Sequence, residues 1–249
     1  ALALARSLDD PEAYWCMGYY VLIAAYLQVT EGRWKMAAEL AGRSRAGVAV
    51  RTLGIALLCI SEAFLESGQR ARFDTITKEL KEMAERTRQA HVILLAMQQE
   101  SFQKLMDGHL EETAAMARQI LVRGEELGIP EYARLVAMQS SVDYHLFLGD
   151  STETLRFLDL HPPVGQKVHS LARLGREAEV KEMLEQFVVT RPGFGTADDI
   201  VGVAGDINCL EAAVLVGHKK AAEMLLTKYA GSNIQMTMRF GAKCLPLHL

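Results

Sequence analysis

Ser141 and His145 stand one helical turn apart in Ser140-Ser141-Val142-Asp143-Tyr144-His145, a spacing at which a hydroxyl and an imidazole on one helix can touch. Acyl transfer also needs donors for the developing oxyanion and a third group to hold the base. No such donors are evident here, and Leu135, Val136, Val142, Leu146 and Leu148 already mark the packing faces of the same helix. The pair therefore reads as part of a packed element. Gly193-Phe194-Gly195 has the glycine spacing of a phosphate-cradling loop, but no strand precedes it and no lysine follows where a nucleotide loop needs one. It reads as a helix connection. Of the seven histidines, the closest pair, His161 and His169, straddles Pro162-Pro163 and has no cysteine beside it, whereas a metal needs convergent ligands. His91, His109 and His218 fall beside helix turns. The sequence thus predicts no catalytic residue, no metal site and no cofactor.

The elements that carry these residues are set by composition first. Half of the 249 residues are hydrophobic and 23% are charged, which places the chain among folded proteins. The net charge of −4 lacks the basic excess that would neutralise a row of phosphates, so nucleic acid is not expected as a direct ligand. The most apolar stretches, Val21–Leu27 and Gly54–Ile60, are far shorter than the roughly 20 residues of a membrane span. Residues 1–8 read as the end of a helix and not as a signal peptide. Cys16, Cys59, Cys209 and Cys244 form no C-x-x-C pair and suit reduced thiols of a cytoplasmic protein.

Glycines close short polar junctions at Gly32, Gly68, Gly108, Gly149, Gly175 and Gly217, with intervals of 36, 40, 41, 26 and 42 residues. A period near 37 belongs to helical-hairpin arrays, whose units run about 34 to 47 residues. The apolar stride agrees. Leu53, Leu57, Ile60 and Phe64 precede Gly68 at helical spacing, and Phe73, Ile76, Leu80 and Met83 follow it. Leu110, Ala114, Ala117 and Leu121 repeat the stride after Gly108. Small residues, Ala25, Ser61 and Ser101, stand seven places before the first three glycines and would let paired helices approach closely. Lys78-Glu79-Leu80-Lys81-Glu82-Met83-Ala84-Glu85-Arg86 alternates in sign and reads as a solvated helix face, with Glu82 to Arg86 at i, i+4.

Leu57, Ile60, Ser61, Phe64 and Gly68 match the large-large-small-aromatic-glycine spacing of tetratricopeptide repeats, and Gly32 with Ala37 and Gly217 with Ala222 match their glycine-to-alanine step. The array resembles degenerate tetratricopeptide (TPR) repeats. The opening ALALARSLDDPEA, the turn Met106-Asp107-Gly108, and LLTKYAGSNIQ followed by Cys244-Leu245-Pro246 resemble the C-terminal repeat region of large bacterial signalling ATPases that carry a nucleotide-cyclase or LuxR-type output domain. That resemblance implies a sensor or regulatory arm. ATP binding would belong to the parent protein only, since no P-loop, cyclase or helix-turn-helix signature is present here.

The expected fold is all-α: a right-handed superhelical solenoid of about six antiparallel hairpins, forming a single domain over 1–249. It is irregular near 160–166 and 191–196, where His161-Pro162-Pro163-Val164-Gly165 and Arg191-Pro192-Gly193-Phe194-Gly195 interrupt the helices. Thr196 with Asp199 reads as an N-cap opening a long helix from about 197 to 215. Residues 232–249 read as the first helix of a further repeat, so the chain is expected to be a fragment of a longer one. Inner helices of such arrays line a concave groove suited to a protein or peptide. In the best-defined hairpin Ile55, Leu58, Glu62 and Glu66 lie off the packing stripe and are the candidate partner-binding residues, although Ile55 and Leu58 could equally pack against a neighbouring repeat. The expected function is protein interaction or sensing within a signalling or transcription-regulating protein, without catalysis. A structural spacer or homodimerisation module is the alternative.

Overall fold

A computed structural model describes residues 2–24, 31–137, 164–196, 198, 199 and 201–230. Every regular element among them is helical. In chain order these are α1 (Leu2–Ser7), α2 (Pro11–Ala24), α3 (Glu31–Ala41), α4 (Val50–Glu66), α5 (Arg70–Thr87), α6 (Ala90–Met106) and α7 (Leu110–Glu126). A helix α8 begins at Pro130 and is described over 130–137. After it come α9 (Val164–Arg173), α10 (Glu177–Leu184), α11 (Val203–Leu215) and α12 (Lys219–Tyr229). α10 runs on into a wide π turn, Glu185–Val189. No described helix is long and apolar enough to cross a membrane.

Five of the described helix ends share one hydrogen-bond pattern. At the end of α4, the Gly68 amide donates to the Leu65 carbonyl at 2.8 Å and the Gln69 amide to that of Phe64 at 2.8 Å. This crossed pair satisfies two carbonyls the helix would leave open, and it requires the left-handed conformation that Gly68 adopts at φ 72°. The pattern recurs at Gly108, Gly175 and Gly217, as the glycine period requires, and also at Gly128, which lies outside that period. Gly149 lies outside the described residues. Gly32 departs from the expectation: it is the second residue of α3 and does not have positive φ, so it opens a helix and does not reverse the chain.

Helix faces then pair. Leu53, Leu57, Ile60 and Phe64 of α4 and Phe73, Ile76, Leu80 and Met83 of α5 are all buried in one core with Tyr14, Trp15 and Phe102. α4 touches α2, α3, α5 and α6. Ser61 and Ser101 are fully enclosed, as close helix approach requires. The charged face of α5 is solvated as expected at Lys78, Lys81, Glu82, Glu85 and Arg86. Glu82 pairs one turn back with Lys78, at 3.8 Å, and not with Arg86.

A second core joins α9 to α12 through Val168, Leu171, Val180, Leu184, Cys209, Leu210, Ala213 and Leu225. Here α9 and α11 cross at Gly165 and Gly205, where a Cβ on Gly165 would lie 2.6 Å from the Gly205 carbonyl oxygen. Val164 and Gly165, expected to lie in the proline break, already belong to α9; Ser141, His145 and His161 fall outside the described residues. The long helix expected from about 197 starts later, at Val203. Its local signal was outcompeted: the Thr196 hydroxyl bonds the Gly193 carbonyl, and Asp199 is drawn into an ion cluster. Cys16, Cys59 and Cys209 are not joined in disulfides.

Because the atom facing Gly165 is backbone, a methyl group there has no side chain to displace. We expect Gly165→Ala to destabilise the protein by about 1–3 kcal/mol, in the range of other overpacked cores. Thermal melting of the variant beside Gly175→Ala, whose added Cβ meets nothing within 4 Å, separates crowding from left-handed strain.

Candidate functional site

α5 and α7 stand as two banks over α6, and the space between them is an open trough. Its wider part, about 610 Å³, is lined by Lys81, Ala84, Glu85 and Arg88 from the α5 bank and by Ile93, Ala96, Met97 and Glu100 of α6. Arg123 and Leu127 complete it from the α7 bank. A narrower part, about 390 Å³, continues past Lys81, Ala96 and Glu100 to Asp74, Thr77, Lys78, Gln103, Lys104, Asp107 and His109. From Asp74 to Arg88 the α5 wall is about 20 Å long at the helical rise of 1.5 Å per residue.

The floor and rim differ in chemistry. Ala84, Ala96, Ile93, Met97 and Leu127 supply an apolar base, while the rim is charged and largely self-paired. Lys81 lies 3.6 Å from Glu100, and Lys104 lies 2.6 Å from Glu112. Arg70 donates to Asp74 at 2.9 Å and to Asp107 at 3.0 Å, and its hydrogen bond holds the Asp107 carboxyl below the usual carboxylate range. Gln103 Nε2 donates to Asp74 at 3.0 Å. At the narrow end the Thr77 hydroxyl is buried with no hydrogen-bond partner.

The residues singled out from the sequence occupy a different face. Ile55 and Leu58 are half-buried and pack against the main core. Glu62 and Glu66 are buried, 3% and 6% exposed, and Glu66 pairs with the buried Arg33 of α3. Helical phase placed the four on one stripe; only packing placed two carboxylates beneath the surface. The trough escaped sequence reasoning because its walls come from three helices, and its sole local signal is the sign-alternating stretch at 78–86.

A second polar constellation lies where the glycine-rich connection was read. Arg191 donates through Nη1 to Asp206 at 2.7 Å and through Nη2 to Asp199 at 2.9 Å. Lys228 Nζ lies 2.6 Å from both carboxylates, and the Tyr229 hydroxyl donates to Asp206 at 2.7 Å. Phe194 covers the cluster, with Arg191 4.7 Å and Lys228 5.4 Å from its ring centre. Asp206 is fully buried. Two cations face two anions, so the interior carries no uncompensated charge. Burial pushes the Asp199 carboxyl up, but Lys228, the Gly195 and Val201 amides and the Arg191 charge outweigh it and hold it at about 2. Burial and the Asp206 charge push the Tyr229 phenol up, so it remains a donor. With every charge engaged, this is a fastener between the 191–199 connection, α11 and α12, and not a phosphate loop.

The described histidines make local contacts. His218 caps α12 by accepting from the Ala221 amide at 3.3 Å, and His91 packs at a tilt against Tyr132 with ring centres 4.8 Å apart. His109 lies 3.0 Å from Glu112 at the surface, and buried His169 lies 2.8 Å from Glu211. No group of three potential metal ligands converges among the described residues.

Comparison with protein-family models, with curated proteins and with solved structures finds no match to this chain.

Removing one partner of the charge cluster leaves the others uncompensated. We expect Asp206→Asn to cost about 3–5 kcal/mol, measured by urea denaturation. Asp199 binds its proton less readily folded than unfolded, so its contribution is complete above pH ~4 and is lost as pH falls through about 2. Acid unfolding of Asp199→Asn should lack that component of the pH slope.

Proposed function

We propose that this chain is a binding module, a right-handed solenoid of TPR-like hairpins that holds a protein or peptide segment and performs no catalysis of its own. It serves as a sensor or interaction arm of a larger cytoplasmic protein in signalling or transcription regulation, in keeping with the resemblance carried by its first 13 residues and its late LLTKYAGSNIQ segment. The observation that carries the binding reading is the trough over α6. It is long and open, apolar at the base of its wide part and charged along its rim, which suits a linear segment better than a compact metabolite. Its helical walls present no strand edge, so a bound segment is held by side-chain packing and not by sheet extension.

A second reading, self-association or a structural spacer, draws on Leu121 and Val122 of α7 and Leu135 of α8, which are exposed apolar residues. Light scattering decides that point: a mass that rises with concentration and falls in Val122→Glu favours it, and an unchanging monomer removes it.

The binding reading is tested by placing a photo-crosslinking amino acid at Met97 in cells and identifying the captured segment by mass spectrometry. Capture of one defined segment, lost when Ile93→Glu charges the floor while the melting temperature holds, is the expected result. Capture that persists in Ile93→Glu would place the contact outside the trough.

A further inference from the structure

We infer that the occupant of the trough is an amphipathic helical segment whose apolar face ends in an acidic residue, read by Arg88 and Arg123. This deepens the peptide-binding reading above and rests on it.

Arg88 ends α5 in the left-handed conformation, at φ 53° and ψ 23°. The turns after α4, α6, α7, α9 and α11 place glycine there, at Gly68, Gly108, Gly128, Gly175 and Gly217. A side chain in this conformation is strained, and glycine avoids that strain. The one arginine among these turns lines the trough, is exposed, and makes no side-chain hydrogen bond or ion pair with the described residues. Residues held in costly backbone conformations with an unengaged functional group are expected where a ligand uses that group.

Arg123 reaches the same wide end from the opposite bank. Its pair with Glu126, 2.6 Å away, is an i, i+3 contact between side chains 44% and 54% exposed. Such a surface pair is worth little and is readily exchanged for a ligand carboxylate. Further along, Lys81 is neutralised by Glu100, and Glu85, one turn before Arg88, disfavours a second acid in mid-trough. Cationic recognition is therefore concentrated at one end of an apolar base formed by Ala84, Ile93, Met97 and Leu127. A carboxylate meeting two guanidinium groups there gains charge-assisted, fork-shaped hydrogen bonds. Over the wide part the α5 wall, from Lys81 to Arg88, is about 10 Å long, two turns of a bound amphipathic helix whose apolar side chains at i, i+3 and i+4 meet that base.

The test uses the full chain and three fluorescent probe peptides in anisotropy titrations. Each is an alanine-rich helix with a leucine stripe, ending that stripe in Glu, Gln or Lys. Wild type is expected to bind the Glu probe at least tenfold more tightly than the Gln probe, in the range of charged hydrogen bonds, with the preference shrinking as salt is raised. Arg88→Gly removes the guanidinium and relieves the backbone, so it should abolish the preference while melting no lower than wild type. Arg123→Gln should weaken the preference, and Met97→Glu should lose all three probes. Equal binding of the Glu and Gln probes by wild type, or a preference that survives Arg88→Gly, overturns the acidic-helix inference and leaves the trough as a peptide site. Failure of wild type to bind any probe overturns this inference, and the crosslinking at Met97 then decides separately whether the trough binds a partner of another kind.

Discussion

The N-terminal half of the structure depends on α4, a helix buried on nearly every side. It packs against α2, α3, α5 and α6, and from Ala56 to Glu66 only Leu58 is not buried. A helix so enclosed must be apolar or small at each contact, and each of its polar groups needs a partner inside the protein. Gly54 and Ser61 of α4 meet these demands, whereas Oε1 of Glu66 is buried with no hydrogen bond. Gly54 faces Val92, and Ser61 donates to the Leu58 carbonyl at 2.7 Å and lies 3.3 Å from the Gln99 side-chain amide. Its first turn is held from outside: the Glu12 carboxylate accepts from the Ala49 amide at 2.7 Å and from the Thr52 hydroxyl at 2.5 Å. That carboxylate at a helix N-terminus ties α2 to α4 and supplies the cap that Ala49 cannot.

The packing of α4 has consequences on both of its flanks. Its inner stripe is taken up by neighbours, so Glu62 and Glu66 lie below the surface, and Arg33 must follow Glu66 inside to balance it. On the other flank, α5 is held by α4 on one side and by α6 on the other, which leaves its charged face open over α6. The trough is the product of that arrangement. Its floor is the part of α6 that neither α5 nor α7 covers, and its rim is the solvated face of α5 met by the end of α7.

The C-terminal helices solve a different problem. α9 and α11 approach so closely at Gly165 and Gly205 that backbone meets backbone, and the connection before α11 is too irregular to satisfy itself with helical hydrogen bonds. Arg191, Asp199, Asp206, Lys228 and Tyr229 take that role. Two carboxylates accept from two cations, a phenol and two backbone amides, so the segment is fixed by charge and hydrogen bonding where regular structure is missing. Catalysis would require one of these groups to be open to a substrate, and their mutual pairing works against it.

Much of the fold was legible in the residues because it is local. Leu57, Ile60 and Phe64 define a buried face by spacing alone, and Gly68, Gly108, Gly175 and Gly217 mark reversals because the crossed hydrogen bonds that end those helices require a left-handed residue. The sequence by itself therefore determined the helices, most turns and which faces are apolar. Long-range packing decided the rest. Gly32 became helical because nothing local forces a glycine to turn, and Asp199 forsook a helix cap for cations 8 and 29 residues away. Of the candidate sites, the stripe from Ile55 to Glu66 was legible as a face but not as a buried one. The trough was not legible at all, since it exists only in the spacing of three helices whose residues lie up to about 50 positions apart, and no periodicity along one chain encodes a gap between elements.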